Sequence, residues 1–400
     1  MKNVLAAALI ALGVPAFADP DPQNWDAVLA EAEGQTVYWH AWGGSPQIND
    51  FIAWLGDEAQ ARYGVTVEHV KLTDTADAVG RVVAERAAGQ NAGGAVDLIW
   101  INGENFASMK EQGLLFGGAW GWQLPNWALV DVNGRAAVTN DFTVPTDGME
   151  SPWGMAQVVF IYDSARLIDP PRSIPALIDW AVAHPGRFTF PQPPEFHGST
   201  FLKQALLELV PDTTALQNPV EDSDYDGLTA RFWSEMERLT PALWRQGRAY
   251  PQNGPRQLQM ITDGEIDIAI SFNPNEATNA IANYQLPETA RTFVMEGGTI
   301  GNASYVAIPY NSGAKAGAMV LANFMLSPDA QVMMQDPNVW GLGTVLDMEA
   351  LSPVDRARFD ALELGVATLT PDELGAALPE PHPSWMVRLE EDWARRYGVE

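Results

Sequence analysis

The chain reads as an α/β protein of two lobes joined by more than one crossing. Strand and helix signals alternate as β-α-β-α-β-α from Thr36 to Gln112, the pattern of a parallel sheet with helices on its faces. Its 400 residues exceed the ~100–200 of an ordinary domain. No repeat, low-complexity tract or long linker separates two halves, so interleaved lobes fit better than beads on a string.

The first unit sets the pattern. Thr36–Ala41 contains the strand formers Val37, Tyr38 and Trp39. Trp42, Gly43 and Gly44 make a glycine turn, and Ser45-Pro46 is a helix N-cap and first-turn pair. Ile48, Phe51, Ile52, Leu55, Ala59 and Tyr63 then recur at helical spacing until Gly64. A strand that delivers aromatics to a glycine turn and a helix start can build a small-molecule pocket; it also suits an ordinary core unit. A second strand is expected over 65–70, a helix closed by Gly89, and a buried strand over 96–101. The polar turn Asn102-Gly103-Glu104-Asn105 and a helix over 106–112 follow.

Residues 120–147 are irregular and rich in Trp, Pro and Gly. Ser151-Pro152-Trp153 begins a long strand through Gln157 to Tyr162. Helices are expected over 175–183, after His197-Gly198-Ser199-Thr200, and over 228–239, with a short strand at 187–190. The strand over 264–272 ends in the polar turn Asn273-Pro274-Asn275-Glu276. Strands over 291–296 and 305–309 flank Gly297, Gly298, Gly301 and Asn302. A helix over 314–326 precedes the cap Ser327-Pro328-Asp329.

Met1-Lys2-Asn3, an apolar run to Phe17 and the small-x-small site Ala16-Phe17-Ala18 predict a bacterial signal peptide cleaved after Ala18, hence a periplasmic protein. The apolar run is shorter than the ~18 residues a membrane span needs. There is no Cys and therefore no disulfide. A net charge of −28 argues against nucleic acid and anionic membranes as partners. It suits a cationic ligand and a salt-tolerant surface equally.

The five His residues are scattered, and no zinc, nucleophile-elbow, phosphate-loop or dinucleotide motif is present. No metal, cofactor or catalytic residue is expected. Asp222-Ser223-Asp224-Tyr225-Asp226-Gly227 begins like a calcium loop, but Trp233 stands where the bidentate Glu belongs. Strand-end turns are where α/β folds bind ligands. Glu104 and Glu276 are the candidate anions for a cationic group, with Trp42 and Trp153 stacking on it. Ser199-Thr200 at a helix start offers amides to an anion instead.

Thr36-Val37-Tyr38-Trp39-His40-Ala41-Trp42-Gly43-Gly44, Val96-Asp97-Leu98-Ile99-Trp100-Ile101-Asn102-Gly103-Glu104-Asn105-Phe106, Glu150-Ser151-Pro152-Trp153-Gly154 and Leu326-Ser327-Pro328-Asp329-Ala330-Gln331 resemble periplasmic solute-binding proteins of ABC importers, in particular the YnjB-type branch. The resemblance runs over nearly all of the mature chain. It implies a two-lobed type II binding-protein fold, hinged around a central ligand cleft. Lobe 1 would hold 19–155 and 303–330, and lobe 2 would hold 156–302 and 331–400. It also implies a monomer that hands a small solute to an inner-membrane permease and its ATPase. Wider relatives bind thiamine, polyamines, ferric iron, phosphorylated sugars or phosphonates. The tyrosine pair of iron binders is missing, since no two Tyr are adjacent.

The expected ligand residues are Trp42, Gly43, Gly44, Asn102, Glu104, Asn105, Trp153, Gln157, Ser199, Thr200, Asn273, Asn275, Glu276 and Asn302. The solute expected is cationic or zwitterionic, thiamine- or amine-like. A phosphorylated or phosphonate solute is the alternative within that role. A secreted carbohydrate-active enzyme, suggested by aromatic loops and 51 acids, is the alternative of another class.

Overall fold

The computed structural model describes residues 19–399; the leader expected over 1–18 lies outside the described residues. The chain opens with α1 (Trp25–Ala32), β1 (Thr36–Trp42), α2 (Pro46–Tyr63), β2 (Thr66–Leu72), α3 (Thr75–Ala87), β3 (Leu98–Ile101) and α4 (Gly103–Glu111). β1 pairs in parallel with both β2 and β3, as the alternating pattern predicts. α2 runs between its predicted caps: Ser45 accepts from the Ile48 amide, and Gly64 closes the helix at φ +68°. Its buried stripe is Ile48, Phe51, Ile52, Leu55 and Ala59, each larger side chain contributing ~1.5–3 kcal/mol.

The irregular stretch over 120–147 folds into single 3-10 turns and a hairpin, β4 (Asn140–Asp141) with β5 (Val144–Pro145). The long strand expected after Ser151 is divided at Val158 into β6 (Glu150–Gln157) and β7 (Val159–Asp163). Lobe 2 follows: α5 (Ile174–Ala183), α6 (Phe196–Leu209), α7 (Tyr225–Leu239), α8 (Gly254–Thr262), β8 (Ile268–Ser271), α9 (Glu276–Ala282) and β9 (Ala290–Phe293). The chain ends with β10 (Gly301–Ala307), α10 (Lys315–Met325), α11 (Pro328–Gln335), α12 (Pro353–Asp360), α13 (Pro371–Leu374) and α14 (Pro383–Tyr397).

Lobe 1 is built on a five-stranded sheet of order β2-β1-β3-β10-β6, with β10 antiparallel to both neighbours. Lobe 2 holds the antiparallel sheet β8-β7-β9. The strand expected at 187–190 is reduced to a single parallel bridge from Phe188 to Ile268. The chain crosses between lobes twice, side by side. Gly301 pairs with Gln157, and the Val158 amide donates to the Ile300 carbonyl at 2.8 Å.

Residues 331–360, which the sequence reading assigns to lobe 2, touch both lobes: 340–341 is held by lobe 2, but Gln331 and 343–346 pack on lobe 1. Gln331 Nε2 donates to the carbonyls of Trp153 and Met325 at 2.7 and 2.8 Å, and Gly343 bridges Met155. An amide buried against two backbone acceptors fixes this segment more firmly than its apolar pattern suggests. α14 returns to pack on both α6 and α4.

Candidate functional site

Asn102-Gly103-Glu104-Asn105 is the start of α4, where the sequence suggests a free turn. Gly103 has φ +58°, and its amide donates to the buried Asp141 carboxylate at 2.6 Å. A Cβ at Gly103 would lie 2.7 Å from the Phe142 ring, so glycine is required for the β4–β5 hairpin to cap α4. Glu104 follows in the first turn, a position that favours negative charge; it accepts from Asn105 Nδ2 at 2.6 Å. Asn102 Nδ2 donates to the Ala303 carbonyl and ties α4 to β10.

The opposing side comes from α6. Lys203 is fully buried and pairs with Glu380 at 2.8 Å. Its ammonium lies 4.3 Å from the centroid of the Phe142 ring, which reaches it from lobe 1. Glu380 also accepts from Asn302 Nδ2 at 3.0 Å. Ser199 donates its hydroxyl proton to Glu390 of α14. Asn302 thus stands inside β10, not in the turn expected there. Glu104, Asn105, Ser199 and Asn302 meet at one junction between lobes, around Lys203, Glu380, Glu390 and Asp141.

That junction is short of positive charge. Burial drives Glu104 up to about 7, with the Glu390 charge adding to the effect and Lys203 opposing it. Burial likewise raises Glu390 to about 7 against the Ser199 hydrogen bond and Lys203, with Asp74 adding. Asp141 and Glu380 are raised by the same desolvation. Lys203 is the ammonium that offsets all of them.

The remaining predicted residues lie elsewhere. Trp153 is 1% exposed and sits at the centre of an aromatic core, with ring centroids 5.5 Å from Trp39, 4.9 Å from Trp100 and 5.3 Å from Trp340. It is therefore a packing residue and offers no open face for stacking. Asn273 Nδ2 donates to the Trp340 carbonyl at 3.1 Å, and Asn275 donates to the Gly341 carbonyl. Those two amides hold the 340–341 loop and are engaged. Glu276 is half-buried beside His197, which pairs with Glu195 at 2.9 Å. Burial of Glu276 raises its pKa against the His197 charge. Gln157 donates to Thr299 and to the Leu374 carbonyl, and Thr200 is buried.

Trp42 is half-buried, and its indole covers Gly44: a Cβ there would fall 2.3 Å from the ring. A Cβ at Gly43 would meet the Lys71 side chain at 2.6 Å. The turn is close-packed and brings one aromatic to the sheet's carboxyl edge. Asp224 of the acidic loop caps α7 by accepting from the Gly227 amide at 3.1 Å. Among the described residues no cluster of His, Asp and Glu suits a metal ion.

Lys203, Glu380 and Glu390 have no counterpart in the sequence reading. The one available signal was a lysine at position 203 among the apolar residues Phe201, Leu202, Ala205 and Leu206. A charged group on a buried face needs a partner.

Residues 54–355 match the family model described as bacterial extracellular solute-binding protein. Protein YnjB of Escherichia coli (strain K12) is 42% identical over 376 residues, covering 94% of each chain. Among solved structures, the periplasmic binding protein AfuA from Actinobacillus pleuropneumoniae, with fructose-6-phosphate bound, has a TM-score of 0.64 at 13% identity. The alignment covers 92% of this chain and 99% of that one. The ferric binding protein from Campylobacter jejuni has a TM-score of 0.59 at 14% identity, covering 90% of this chain and 98% of that one. The β2-β1-β3-β10-β6 sheet, the paired crossings and these likenesses agree on a two-lobed type II fold. The chain belongs to the bacterial extracellular solute-binding protein family.

Proposed function

We propose that the protein captures a small cationic or zwitterionic solute, thiamine- or amine-like, at the interlobe junction and delivers it as a monomer to a permease and its ATPase. The supporting observation is charge. The carboxyls of Glu104, Asp141, Glu380 and Glu390 share one ammonium, that of Lys203, and Asp74 adds negative charge at Glu104 and Glu390. A solute cation relieves this excess, and a phosphate adds to it. The start of α6, where an anion would sit, is filled by the protein's own Glu195. That carboxylate accepts from the His197 and Gly198 amides at 2.7 and 3.2 Å. Fructose-6-phosphate and ferric iron belong to distant neighbours that share only the fold and do not bear on solute charge here.

The test is a thermal-shift panel on refolded, ligand-stripped protein. It sets thiamine, polyamines and betaines against sugar phosphates, phosphonates and neutral glycosides. A cation present at a hundred times its Kd should add ~2.7 kcal/mol of stability. Its affinity should rise about tenfold from pH ~6 to ~8, because binding favours an ionised Glu104, which below its pKa of about 7 must first lose a proton. A response confined to phosphorylated solutes overturns the charge assignment, and release of product from a glycoside overturns the binding role.

A further inference from the structure

The β4–β5 hairpin turns on two residues, Phe142 and Thr143. Phe142 stands there at φ +52°, a conformation that such turns ordinarily give to Asn or Gly. For a bulky aromatic it is a strained one. A residue at a hairpin tip ordinarily faces water, yet Phe142 is 8% exposed. Its ring reaches across the junction and lies over the ammonium of Lys203, 4.3 Å from centroid to Nζ. We propose that Phe142 is an interlobe latch: a ring held rigidly by lobe 1 closes over a buried cation of lobe 2 and keeps the lobes together without any solute.

Each half of the contact is anchored in its own lobe. On the lobe 1 side, the Gly103 amide of α4 donates to Asp141, the residue before Phe142, at 2.6 Å. Lys110 of α4 donates to the Pro145 carbonyl and, at 2.7 Å, to Asp147. Tyr305 of β10 donates its hydroxyl proton to the Ala137 carbonyl, and the Thr146 amide donates to the Thr139 carbonyl at 3.0 Å. The ring itself leans on Gly103, where a Cβ would come within 2.7 Å of it. On the lobe 2 side, α6 packs on α5, α7 and β8 and carries both Lys203 and Phe196. The Phe196 ring lies 6.0 Å from the same ammonium and meets Phe272, just past β8, edge-on at 5.2 Å.

An ammonium has three protons to place. Glu380 lies 2.8 Å from Lys203 Nζ, and no further polar partner meets that nitrogen. The π face of Phe142 covers the open side while the lobes are together. Water can take its place when they part, so the contact is reversible. A contact made in one arrangement alone shifts the equilibrium towards that arrangement. A solute that needs the closed lobes then binds more tightly, in proportion to the fraction already closed. No solute charge enters the latch, so it stands or falls apart from the cation reading above.

The experiment is small-angle X-ray scattering on the ligand-free protein, wild type against Phe142→Gly, with thermal melting alongside. Glycine suits the turn's backbone, so the variant should keep a cooperative melt. The wild type should scatter with the dimensions of this structure, and Phe142→Gly should shift to a larger radius of gyration. Phe142→Leu keeps an apolar side chain on the turn but has no π face, and it should shift in the same direction. A folded Gly or Leu variant with the wild-type radius of gyration overturns the latch and leaves Phe142 a packing residue. A wild type already as extended as the variants overturns it too.

Discussion

Lys203→Met is expected to lower stability by about 3–5 kcal/mol, the range seen when one partner of a buried ion pair is removed. Lys203 and Glu380 are 0% and 1% exposed at their side chains, and the pair is 2.8 Å apart. Removing the ammonium leaves the Glu380 carboxylate in a site that already disfavours its charge. The melting temperature should fall by roughly 10 °C, at ~2–4 °C per kcal/mol for a chain of this class. The pH dependence has a definite sign. Glu380 has a raised folded pKa, and without Lys203 that rise grows. The deficit should accordingly be smallest in acid, where Glu380 takes up a proton, and grow towards neutral pH. Lys203→Met combined with Glu380→Leu should recover most of the loss, since an apolar pair can replace a buried salt bridge. A single variant within ~1 kcal/mol of wild type would show that the pair holds nothing together.

Trp153→Ala should cost a similar ~3–5 kcal/mol through the cavity it leaves. The ring contacts Trp39, Trp100 and Trp340 and stacks on Phe51 at a centroid distance of 6.4 Å. Aromatic pairs add ~0.5–1.5 kcal/mol each beyond the area they bury. Urea unfolding reads the loss, and titration of the folded fraction reads solute affinity. A core role predicts a large change in the first and little in the second. The opposite result would return Trp153 to the solute wall.

Much of lobe 1 was legible because its elements carry their own punctuation. Ser45-Pro46 and Gly64 bound α2 in sequence and structure alike. Alternation of β-branched strands with capped helices sufficed for β1, β2 and β3. The junction was legible only in part. Glu104, Asn105, Ser199 and Asn302 stand out in the sequence because each lies at the end of a periodic segment or beside glycine. Lys203, Glu380 and Glu390 sit within or just before helical segments, and only the tertiary fold brings them to Glu104. Asn273 and Asn275 have the right chemistry for a ligand, but their amides are claimed by carbonyls some 60–70 residues downstream. No local signal distinguishes an amide that will meet a solute from one that will meet its own chain. Trp153 misled for a related reason: aromatic character marks a core and a stacking platform equally well.

The placement of β10 has a consequence for how the protein is made. Residues 301–307 fill the gap between β3 and β6 in a sheet whose other strands all precede residue 158. Until that late strand emerges, the lobe 1 sheet lacks the strand that joins β6 to β3, and both present bare edges. Pairing so distant in sequence is slow, because the closure entropy of the intervening loop must be met before any contact rewards it. The nascent chain is therefore held back from its native form until three-quarters of it has been synthesised. In refolding from denaturant, closure of the lobe 1 sheet should accordingly be a slow step, set by the arrival of residues 301–307 between β3 and β6.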